Sequence, residues 1–200
     1  INQIVGGLLT NVKMNGDIAI ANGRLLSDNM KIRSDRINAT ALLVGDIGKG
    51  FYTGALNGKV DGFEVSSVGL FNVVADVDLE TTLGRGYALV GTVKARSTKL
   101  FSAGVQKFLG GQMFVDAGIR YGTDGVLRIT RASVVAPQFR LNSGNGNYVT
   151  EGGRVVFNGA GYSNQYGPVA VQLTGTFDRP VARVTASRPG FGVGLSNVVG

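Results

Sequence analysis

The stretch Val73-Val74-Ala75-Asp76-Val77-Asp78-Leu79-Glu80 decides how the rest of the chain is read. Successive side chains of a strand point to opposite faces, so Val73, Ala75, Val77 and Leu79 share one face, and Asp76, Asp78 and Glu80 take the other. This is a strand with one oily side. The same alternation returns in residues 87–96, where Tyr87, Leu89, Val93 and Ala95 oppose Thr92, Lys94 and Arg96. It returns again in 113–121, where Met113, Val115, Ala117, Ile119 and Tyr121 oppose Gln112, Asp116 and Arg120.

Weaker alternation spans 11–20, 24–34, 36–44, 51–60, 62–70, 125–135, 137–142, 154–162, 168–177 and 180–187, which makes about thirteen strands. Turn signals divide them: Asn15-Gly16, Asn22-Gly23, Asn57-Gly58, Gly84-Arg85-Gly86, Asp124-Gly125, Asn145-Gly146 and Gly152-Gly153. Short connections between strands imply successive hairpins. The expected fold class is therefore all-β, an antiparallel meander. One segment breaks the rhythm: the apolar spacing of Leu100, Phe101, Val105, Phe108 and Leu109 predicts a short amphipathic helix near 98–109. Ser97 or Thr98 would be its N-cap and Gly110-Gly111 its stop. No linker or composition break divides residues 1–200, so the chain reads as a single β unit. Its oily face needs a sandwich, a closed barrel or a curled open groove to shelter it.

Composition narrows the chemistry. The 200 residues include 32 Gly and no His, Cys or Trp. Catalysis through imidazole or thiol, zinc sites built on those ligands, and disulfides are thereby excluded. A serine nucleophile would need a lysine base, but no S-x-x-K is present and Lys107 lies at a poor spacing from Ser102. Asp76, Asp78 and Glu80 lie along an extended strand, not around a calcium loop. Gly144-Asn145-Gly146 and Gly190-Phe191-Gly192-Val193-Gly194 lack the strand–loop–helix context of a phosphate cradle. No enzyme, cofactor or metal site is expected.

Charge is unevenly spread. Residues 1–80 hold 7 Lys/Arg against 9 Asp/Glu, whereas residues 81–200 hold 13 against 4. The basic part favours an anionic partner. Arg128, Arg131, Arg140, Arg154, Arg179, Arg183 and Arg188 neighbour Phe139, Phe157, Tyr162 and Phe177, yet nothing matches the interleaved pattern of RNA-recognition strands. Nucleic acid is not the expected partner. The chain opens Ile1-Asn2-Gln3, with no secretory leader and no apolar run of ~18 residues, and reads as an internal segment of something longer.

The most distinctive text lies in residues 155–162, Val-Val-Phe-Asn-Gly-Ala-Gly-Tyr, followed by 165–181, Gln-Tyr-Gly-Pro-Val-Ala-Val-Gln-Leu-Thr-Gly-Thr-Phe-Asp-Arg-Pro-Val. This resembles the TamB and AsmA-like envelope proteins, in which a G-x-G-Y strand, a Y-G hairpin and a strand ending G-x-[FL]-x-R-P recur. Leu56-Asn57-Gly58-Lys59-Val60-Asp61-Gly62 and the helical stretch before Gly111-Gln112-Met113 are similar in style. The resemblance implies a twisted sheet curled into a taco-shaped channel with an apolar lining. It also implies a periplasmic body in a Gram-negative bacterium, an inner-membrane anchor elsewhere in the parent chain, and phospholipid transport or support of outer-membrane protein assembly. An Omp85-type outer-membrane partner would act through parts of the parent not recognisable here. The expected lining is Val73, Ala75, Val77, Leu79, Leu89, Val93, Met113, Val115, Ile119, Val169, Val171, Leu173 and Phe177. About thirteen strands at ~4.8 Å would make a segment on the order of 60 Å long, and each buried CH₂ of an acyl chain contributes about 0.8 kcal/mol. The alternative is a structural outer-membrane barrel or autotransporter-like segment, though girdle aromatics are scarce.

Overall fold

The computed structural model describes residues 12–65, 68–81, 86–177 and 179–186. Thirteen strands, one α-helix and a 3-10 turn at Glu151–Gly153 make it up: β1 (Lys13–Asn15), β2 (Ala19–Ala21), β3 (Arg24–Arg33), β4 (Ile37–Asp46), β5 (Phe51–Val65), β6 (Gly69–Thr81), β7 (Tyr87–Leu100), α1 (Ala103–Leu109), β8 (Phe114–Gly122), β9 (Val126–Ala136), β10 (Phe139–Val149), β11 (Arg154–Ser163), β12 (Gly167–Thr176) and β13 (Arg179–Ala186). All strands belong to one sheet, in the order β1-β3-β4-β5-β6-β7-β8-β9-β10-β11-β12-β13, with β2 sharing the edge of β3 beside β1. Every pairing is antiparallel. Twelve strands therefore step along the sheet, a length of about 53 Å.

The sheet is open. Among the described residues its two edges do not pair with each other, so these strands do not close into the barrel of the alternative reading. Two faces of the same strand nonetheless differ in cover: Val77 is 5% exposed, whereas Val74 on the other face is 54% exposed. With only one sheet present, that asymmetry comes from the sheet curling about its apolar side. Twist and bulges supply the curvature. Register shifts occur at Ser27/Met30, Val60/Phe63, Leu70/Phe71, Asp116/Gly118 and Leu141/Ser143. Only eleven apolar residues among those described are buried, far too few for the filled interior of two stacked leaves.

Several elements depart from the sequence reading. The expected strand 11–20 is two three-residue strands separated by Gly16 to Ile18. Strand β5 runs through Gly62, which adopts φ 64° at a bulge, so 62–65 continue β5 and 69–70 open β6 in place of the expected strand 62–70. Asn57-Gly58 and Asn145-Gly146 lie inside β5 and β10 and make no turn. Asn22-Gly23 does turn, with both residues at positive φ. The helix starts later than expected because Ser97 to Leu100 continue β7; Ser102 is its N-cap, accepting the Val105 N–H at 3.3 Å. Gly110, at φ 74°, closes it as foreseen and donates its N–H to Gln106 O at 2.8 Å. Gly84 and Arg85, the 190–194 glycine run and Arg188 fall outside the described residues.

Helix α1 is an insertion in the β7–β8 hairpin, tied at its neck. Ser97 N–H donates to Met113 O at 3.0 Å, and Met113 N–H donates to the Ser97 hydroxyl at 2.9 Å. The helix packs on the apolar face, over the starts of β6, β10 and β12 and the end of β7. There Leu109 joins Phe71, Leu100, Phe139, Leu141 and Val169 in the one cluster of buried apolar residues described. Phe108 sits 5.1 Å from the Phe139 ring and 6.2 Å from Tyr166, and Gln138 N–H donates to Leu109 O at 2.9 Å.

Candidate functional site

Strand register assembles the concave face residue by residue. One row crosses eleven strands without a polar side chain: Met30, Ala41, Leu56, Val77, Gly91, Ile119, Ile129, Gly146, Phe157, Leu173 and Ala182. A second apolar row crosses ten: Ile37, Val60, Val73, Ala95, Val115, Val134, Leu141, Gly161, Val169 and Ala186. Between them lies a row of mostly small residues, Ala39, Gly58, Ala75, Val93 and Ala117 on β4–β8. On β10 and β11 the corresponding Gly144 and Gly159 are overhung. A Cβ on Gly144 would lie 2.2 Å from the Phe157 ring, and one on Gly159 would lie 2.7 Å from Leu141. These glycines make room for neighbours in the lining, which is why Gly144-Asn145-Gly146 belongs to a strand and not to a phosphate loop.

The convex face is the chemical opposite. Lys31, Thr40, Asn57, Asp76, Thr92, Gly118 and Thr130 form one row, and Asn145, Asn158, Gln172 and Arg183 form another on the last four strands. Three of its acids are matched by bases, Asp61 by Lys59 along β5 at 3.4 Å, and Glu80 and Asp116 across the strands by Arg120 at 3.5 Å and Lys94 at 3.8 Å. All are exposed pairs and contribute little to stability. Phe114 and Val135 are an apolar exception, side by side in register, with the Arg96 guanidinium 5.4 Å over the Phe114 ring.

Of the predicted lining residues, Val73, Ala75, Val77, Leu79, Leu89, Val93, Val115, Ile119, Val169, Val171 and Leu173 all fall on this single apolar face. Val77 and Val169 are buried and the others partly exposed. Met113 precedes β8 and packs against the cluster beneath α1. Phe177 follows β12, its ring 6.0 Å from Tyr148 and edge-on to it. The clean windows had left out Leu56, Leu127, Ile129, Tyr148 and Phe157, whose strands alternate too but are broken by glycines and bulges. Of the aromatics near the arginines, Phe139 and Phe157 lie on the trough face, while Tyr162 pairs in register with Arg140 on the outer face.

A charge pair, Asp124 with Arg128, sits at the β8–β9 turn, remote from the trough. A hydrogen bond from Arg128, at 2.5 Å, and another from the Val126 N–H hold the Asp124 carboxyl below the usual aspartate value. Asp124 in turn raises the Arg128 guanidinium. Among the described residues no group of three or more acidic side chains is placed to hold a metal ion, and no helix is long and apolar enough to cross a membrane. No protein-family model, curated protein or solved structure matches the chain.

Proposed function

We propose that the trough is a conduit for phospholipid acyl chains, a segment of a longer periplasmic protein that moves lipid between the inner and outer membranes of a Gram-negative bacterium. The observation that carries this reading is the row from Met30 to Ala182, which is unbroken by any polar side chain over eleven strands. An acyl chain needs a continuous apolar surface and no specific motif, and each methylene removed from water contributes about 0.8 kcal/mol. A lining without polar steps lets the chain slide, because no position holds it more strongly than the next. Headgroups stay wet at the open side. The TamB and AsmA-like style of residues 155–181 points the same way. In that setting the parent chain is anchored in the inner membrane and meets an Omp85-type protein at the outer one, and outer-membrane assembly gains from the lipid supplied.

Mass spectrometry of the intact purified protein tests this reading directly. Phospholipid should remain bound to the wild type and be lost from Ile119→Asp and Leu173→Asp. Because both positions border an open trough, the variants should keep their thermal melts near the wild type. Loss of several kcal/mol of stability with no lipid in any sample would instead mean a closed, dry core.

A further inference from the structure

We propose that the convex face of β10–β13, opposite the trough, is a docking surface for an anionic phospholipid bilayer. None of these four strands contains an Asp or Glu. Their outer positions carry Arg140, Arg154, Arg179 and Arg183, all exposed, and none forms an ion pair among the described residues. The outer face of β5–β8 is the contrast, since its Asp61, Glu80 and Asp116 are already matched by Lys59, Arg120 and Lys94. The unbalanced positive charge is thus concentrated on one sector of the molecule. Between the arginines run the neutral amides Asn145, Asn158 and Gln172. Arg131 borders the sector on a bulge of β9 at φ 50°, with its backbone N–H donated to Asn145 Oδ1 at 3.2 Å.

Spacing and company choose the partner. In register, Arg154 and Arg179 flank Thr176, which sets them about 9.6 Å apart, and Arg179 and Arg183 lie about 13 Å apart along β13. Such separated guanidiniums meet separate phosphates, as a field of headgroups presents them. Exposed Val156, Tyr162 and Val181, at 42%, 42% and 46%, sit among them and suit the interfacial layer. A single-stranded nucleic acid would need several stacking rings, and Tyr162 is the sole aromatic residue on the outer positions of these strands.

The test does not depend on what fills the trough. The protein is sedimented with vesicles of phosphatidylcholine alone and of phosphatidylcholine mixed with phosphatidylglycerol, at low and high salt. It should bind only the mixed vesicles, and added salt should release it. Replacing Arg140, Arg154, Arg179 and Arg183 together with Gln should weaken binding about fivefold per guanidinium. The same charge removed as Lys13→Gln, Arg24→Gln, Lys31→Gln and Arg33→Gln should weaken it far less, with thermal melts showing both sets folded. Equal binding to both vesicle types, equal loss in the two variant sets, or tighter binding to a single-stranded oligonucleotide than to the mixed vesicles would overturn the proposal.

Discussion

Two buried serines on the concave side do opposite things. The Ser97 hydroxyl accepts the Met113 N–H at the neck of the α1 insertion, whereas the Ser27 hydroxyl has no hydrogen-bond partner among the described residues. A lost partner costs more than a lost bond, because the orphaned group stays out of water. Ser97→Ala should therefore destabilise by about 1–2 kcal/mol in denaturant unfolding, and Ser27→Ala should be neutral or stabilise by up to about 1 kcal/mol. At the β8–β9 turn, the Asp124 carboxyl is held below its ordinary value, first by Arg128 and then by the Val126 N–H. A depressed carboxyl contributes stability above its unfolded value and loses it as the pH falls through the folded one. A carbon-detected NMR titration should place Asp124 below an ordinary aspartate, and Arg128→Gln should move it up. No such movement would mean that the pair does not persist in solution.

At the scale of elements, the clean alternation in β6, β7 and β8 was legible because each strand has one wet and one sheltered face, with no glycine at the decisive positions of β6. Asn57-Gly58 and Asn145-Gly146 misled because the pair has the chemistry of a hairpin turn. Here the Asn belongs to the polar outer row and the Gly to the trough, where Gly58 faces Ala39 and Gly146 lies beside Phe157. The helix start was misplaced for a similar reason. Ser97 has cap chemistry, but its hydroxyl is taken by Met113 across the hairpin, and the capping role passes to Ser102. Once formed, α1 depends on Phe108 against Phe139 and Tyr166. Phe108→Ala should cost about 2–3 kcal/mol and raise amide exchange in residues 103–109 well above that in β7. Unchanged exchange would mean that the insertion is held by its neck alone.

Across the whole molecule, sequence periodicity foresaw strands and an oily face but left sandwich, barrel and groove open, because alternation reports only that one side is covered and not by what. Register resolves this: the apolar positions of β3 through β13 fall into continuous rows on one open sheet. The lining was legible where strands were regular, at Val77 or Ile119, and hidden where glycines interrupt the pattern, at Ile129 or Phe157. Charge segregation was visible as a sum, but only the fold puts Phe139 and Phe157 on the face opposite the arginines while leaving Tyr162 beside Arg140. The central claim is that acyl chains occupy the part of the concave side that α1 and its cluster leave uncovered. A photoactivatable residue installed at Ile119 or Leu173, and separately at Thr92 or Asn158 on the outer rows, tests it in the presence of phospholipid. Crosslinks to lipid should form at the first two sites and not at the second two; equal labelling on both faces, or labelling confined to the outer one, would contradict it.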